Sequence, residues 1–92
     1  MNFDVSVRLW RMPTILRFRG FRIMIYTQDH GPAHVHAVRG TDLVVFLINC
    51  SKGSVGVRGN TRVRSSMVRE LQTFVSDNLT LICESWRLLH GE

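Results

Sequence analysis

Cysteine is scarce in this sequence. Only Cys50 and Cys83 are present, and neither belongs to a C-x-x-C pair, which excludes a zinc knuckle. Two cysteines can form one disulfide, but the default for a chain of this kind is two reduced thiols. Long hydrophobic runs are missing as well. The longest, Leu43 to Ile48, falls far short of the roughly 20 residues of a membrane span. Met1 to Arg11 alternates Phe3, Val5, Val7 and Leu9 with polar residues, unlike the apolar run of a signal peptide. No repeat or low-complexity segment occurs. Gly53, Gly56 and Gly59 make no phosphate loop, because no G-K-[ST] follows them. The serines at 51, 54, 65 and 66 have no neighbouring base that would make one a nucleophile. Lysine is nearly absent too: Lys52 is the only one among 12 basic residues.

The other basic residues are arginines, and the formal charge is +5. Guanidinium offers a planar fork suited to phosphate and carboxylate, so the bias points to an acidic partner, nucleic acid or protein, with a merely solubilising surface as the alternative. Hydrophobic residues at 45% argue against disorder, and 92 residues make one domain with a thin core.

The pattern predicts an α+β domain: a small antiparallel sheet of about four strands, then a C-terminal amphipathic helix. Residues 1–11 read as an edge strand or extension, cut off by Pro13, and residues 12–92 as the domain. Ile15–Arg19 and Phe21–Tyr26 form a hairpin about Arg19-Gly20. Leu16, Phe18, Phe21, Ile23 and Ile25 share its buried side; Arg17, Arg19 and Arg22 face away. Residues 27–33 are a loop, His34–Val38 a third strand, and Leu43–Ile48 a strand apolar on both faces, as if covered on each side. Residues 49–60 read as loop, with Val55 and Val57 the seed of a short strand. A helix starts with Ser65 or Ser66 as its cap. Its stripe is Val68, Leu71, Val75, Leu79, Ile82, Trp86 and Leu89, widened by Met67 and Phe74. Ser76-Asp77-Asn78 is the place for a kink or break, and Gly91 is the stop.

Met12-Pro13-Thr14-Ile15, then Phe18-Arg19-Gly20-Phe21-Arg22, then Tyr26, Asp29 and Pro32-Ala33-His34-Val35-His36 follow in order. Trp86 and Leu89-Gly91 come near the end. In these residues the chain resembles a family of small prokaryotic domains of unknown function with an MPTI start and a P-x-H-V-H motif, over roughly residues 12–91. Some members are assigned to toxin–antitoxin pairs. The resemblance implies a cytoplasmic protein with a cognate partner protein, and Met12 as the usual start. The segment 49–64, rich in glycine and arginine, departs from the family pattern.

His34 and His36 are the sharpest chemical feature. Two apart on a strand, they point to one face with Cα atoms about 7 Å apart. Such a pair can flank a phosphate as general base and general acid, with Arg17, Arg19 or Arg22 holding the anion: metal-independent RNA cleavage. The same pair is half of a metal site, with His30 or Asp29 as third ligand, but no further ligand has a convincing spacing and no metal or other cofactor is expected. The bland alternative makes both histidines surface residues supporting the Asp29-His30-Gly31-Pro32 loop, with Asp29 capping it. Arg58, Arg62, Arg64 and Arg69 form a second basic run without an acidic residue, either a nucleic-acid or partner contact or a solvated loop.

The expected function is a toxin–antitoxin-type component that binds a partner protein and RNA or DNA. The alternatives are a ribonuclease using His34 and His36 as its acid–base pair, and a non-catalytic nucleic-acid-binding regulator. No membrane association is expected. A homodimer is compatible with open sheet edges.

Overall fold

A computed structural model describes residues 13–26 and 31–91. The expected extension, residues 1–11, lies outside the described residues. Five strands form one antiparallel sheet in chain order: β1 (Thr14–Phe18), β2 (Phe21–Met24), β3 (His34–Arg39), β4 (Asp42–Asn49) and β5 (Ser54–Asn60). Two helices follow, α1 (Ser65–Asp77) and α2 (Leu79–His90). The α+β class and the order of strands before helix hold. No described helix is long and apolar enough to cross a membrane.

The β1–β2 turn shows why this hairpin closes. Arg19 has φ 50° and Gly20 φ 82°, the left-handed pair that matches the twist of paired strands. Arg39 crosses over it: its guanidinium donates to the Arg19 carbonyl at 3.1 Å and lies 4.2 Å from the Phe21 ring centre. A Cβ on Gly20 would come within 3.1 Å of Arg39 Cδ. Gly20→Ala combines a forced positive φ with that crowding, so a loss of about 1–2 kcal/mol is expected in urea unfolding. An unchanged midpoint would show that the turn relaxes freely.

Alternation along the strands divides the sheet into two faces. Phe21, Ile23, Val35, Ala37, Val44, Phe46 and Ile48 point one way and form a single buried cluster with Val68, Leu71, Val75, Ile82 and Trp86 of the helices. The helical stripe is therefore the second half of the core. At about 25 cal/mol per Å² of buried apolar surface, this contact is the main force holding helices to sheet. Met24, Val38, Leu43, Val45 and Leu47 point the other way and lie outside that cluster. Leu43 and Val45 are half-buried and Leu47 is exposed. Strand β4 is thus covered fully on one side only, contrary to its two-sided apolar pattern.

Three further expectations are corrected. The segment 49–60, read as loop, carries a turn and then β5, paired with β4 from Asn49↔Ser54 to Val44↔Asn60 with a bulge between Val45 and Phe46. Its glycines weaken intrinsic strand propensity, but pairing with an apolar neighbour overrides that. The N-cap of α1 is Arg64, whose carbonyl accepts from Met67 and Val68; Ser65 and Ser66 lie inside the helix and no side chain caps it. The Asn60 side chain instead locks the approach, donating to the Val63 carbonyl and accepting from its amide, both at 3.0 Å. Finally, Cys50 and Cys83 are not free thiols but a disulfide joining the end of β4 to α2. The break near Asp77 is real: Asn78 alone separates the helices, its amide group donating to the Phe74 carbonyl at 2.8 Å. Gly91 ends α2 at φ 77°.

Candidate functional site

Strand β3 delivers the two histidines to one face. Val35 and Ala37 are fully buried on the helix side, which obliges His34, His36 and Val38 to the second face. The rings meet edge to face with centroids 5.2 Å apart. His34 Nδ1–H donates to the Pro32 carbonyl at 2.9 Å. A carbonyl only accepts, so the neutral ring carries its proton on Nδ1 and Nε2 is its basic nitrogen. Pro32 thus supports the site through its backbone. Asp29 and His30, the other expected loop supports and metal ligands, lie outside the described residues.

The rings continue a longer stack. Tyr26 lies parallel to His36 at 4.2 Å, His34 meets Trp86 at 5.5 Å, and Trp86 stacks on His90 at 3.8 Å. His90 Nδ1–H donates to the Trp86 carbonyl at 3.1 Å. Trp86 therefore serves the core, as its helical position implies, and also walls one side of His34. The reading of both histidines as surface residues is half right: His34 is only 6% exposed, whereas His36 is half-buried.

His34, His36, Val45, Arg58 and Gly59 line one open hollow of about 340 Å³. Arg58 arrives there because β5 bulges where Val45 pairs with Gly59. None of the arginines expected beside the histidines lines that hollow. Arg19 leaves the sheet to pair with Glu70 of α1 at 3.0 Å. Arg17 and Arg22 face each other across β1 and β2 on the histidine side; Met24, not an arginine, sits across from His36. Two exposed guanidinium groups directly opposite one another repel, and neither has an ion-pair partner among the described residues.

The second basic run is also divided. Arg62 and Arg64 line a separate depression with Arg39, Asp42, Ser66 and Glu70 beside the start of α1. Arg69 borders shallow pockets along α1. Among the described residues, no three His, Cys, Asp or Glu side chains gather to hold a metal. Sequence reasoning missed Arg58 as the companion of the histidines. The alternation of Val55 and Val57 was the only signal for its strand.

A family model described as a domain of unknown function, DUF4160, matches residues 20–87. The chain belongs to that family. The match takes in β2 to β5, α1 and most of α2, hence every residue of the histidine hollow in this DUF4160 domain. No curated protein and no solved structure matches the chain.

Proposed function

We propose that this DUF4160 domain is a nucleic-acid-binding module, the toxin–antitoxin-type component that its resemblance implies, acting in the cytoplasm with a cognate partner protein. The observation that carries the reading is the convergence of His34, His36 and Arg58 on one open hollow of the second sheet face. Arg17 and Arg22 stand on that same face without ion-pair partners among the described residues. Guanidinium groups track phosphates, while the Tyr26–His36 stack offers a flat surface for a base. At Gly56 an added Cβ would meet nothing within 4 Å, so an approaching strand can reach the backbone there.

Binding of labelled single-stranded RNA and DNA, followed by fluorescence anisotropy, tests this. Affinity should fall steeply as salt rises. Arg58→Ala should lower the salt slope by about 1, the signature of a lost phosphate contact. His36→Ala should weaken binding roughly 5- to 150-fold, with less change in slope, since a stacked base contributes about 1–3 kcal/mol. Binding that is indifferent to salt and to both substitutions would refute the reading.

Ribonuclease activity remains a second reading, supported by the tautomer that Pro32 imposes on His34. The edge contact between the rings leaves no room for a phosphate between them, so substrate would approach from the Arg58 side. RNA left intact by the wild type in that assay would leave binding alone. Cleavage lost in both His34→Ala and His36→Ala would establish catalysis.

A further inference from the structure

We propose that the Cys50–Cys83 disulfide is a thiol-exchange site, and that its opening by a dithiol releases α2 and withdraws Trp86 from its contact with His34, a residue of the hollow. The proposal does not depend on what the hollow binds. In the cytoplasm, where thiols are kept reduced, a disulfide that forms is usually a transient or redox-sensing one.

The two halves of the bridge differ in access. Cys50 is exposed in the turn after β4, whereas Cys83 is 5% exposed and packed in the core. An attacking thiolate therefore meets Cys50 Sγ. The new S–S bond forms there, the bond between Cys50 and Cys83 breaks, and the electron pair leaves on Cys83 Sγ, which takes up a proton. The second thiolate of the dithiol then attacks the reagent's own sulfur in the mixed disulfide. Cys50 departs as thiolate and is protonated, and the dithiol ends as a cyclic disulfide. Two electrons pass from the dithiol to the bridge.

The geometry gives this exchange a consequence. Trp86 follows Cys83 by three residues, one turn along the same side of α2. The bond that pins Cys83 to the sheet thus pins the ring that touches His34. On its other side α2 joins α1 through Asn78 alone, at φ −111° and ψ 20°, outside the helical range. With the bridge open, α2 retains the apolar contacts of Leu79, Ile82 and Trp86 but no covalent tie to the sheet.

The test uses the full chain carrying Trp10→Phe, which leaves Trp86 as its one tryptophan. Thiols are counted in denaturant before and after treatment with dithiothreitol, and amide exchange is followed element by element. We expect no thiols before and two after. Amides of α2 should exchange at least tenfold faster on reduction, β3 and β4 should change less than twofold, and Trp86 emission should move to longer wavelength. Cys50→Ser should reproduce the loosened α2 without reductant and ignore dithiothreitol. Two free thiols in the air-oxidised protein would overturn the proposal. So would full protection of α2 after reduction, or protection lost equally from β3 and β4.

Discussion

Phe46→Ala should cost about 3–5 kcal/mol and be the most damaging single truncation in the sheet. Phe46 is fully buried on β4, paired with Val35 on one side and Val57 on the other. It thus lies between the strand that carries the histidines and the strand that carries Arg58. A domain of this size has only about 5–14 kcal/mol in hand, so the loss removes a large part of its stability. Urea unfolding should show a much lower midpoint with little change in slope. The neighbouring residue is the control. Val45 points to the second face and is half-buried, so Val45→Ala should cost about 1 kcal/mol or less. Equal losses at the two positions would mean that the second face is packed as tightly as the first.

The contrast between Phe46 and Val45 also marks what was legible in the sequence. Period-two alternation in β2 and β3 and the three-to-four spacing of the helical stripe report directly which side of each element meets the core. Both sides of the Phe21–Val35–Leu71–Ile82 contact could therefore be read before any coordinates. Strand β4 could not be resolved that way. Every residue from Leu43 to Ile48 is apolar, and an unbroken run carries no phase. Strand β5 was hidden for the opposite reason. Its glycines and polar residues give no local preference, and only pairing with β4 makes it a strand.

The candidate site divides along the same line. The common face of His34 and His36 follows from local geometry and holds. The identity of the arginine beside them depends on which strand is β4's second neighbour and on a bulge, neither of which leaves a local signature. Hence the expectation of Arg17, Arg19 or Arg22 yields to Arg58. Cap placement failed on a finer scale. Asn60, rather than a serine hydroxyl, fixes the chain entering α1 by its two bonds to Val63, an interaction that needs β5 to end where it does.

The disulfide has an equilibrium consequence separate from its exchange chemistry. Cys50→Ser should lower stability by about 3–4 kcal/mol, because a bridge spanning 33 positions removes that much loop entropy from the unfolded chain. For a domain of this length the midpoint of thermal unfolding should drop by roughly 12–30 °C. Serine suits this position, since Cys50 is exposed and its hydroxyl remains hydrated; the same change at Cys83 would bury a polar group and confound the measurement. The wild type in dithiothreitol should melt within a few degrees of Cys50→Ser in the same buffer, because both lack only the cross-link. Identical melting of oxidised wild type and Cys50→Ser would mean that the cross-link contributes nothing. The buried stripe of α2, from Leu79 through Ile82 to Trp86, would then hold the helix to the sheet end unaided.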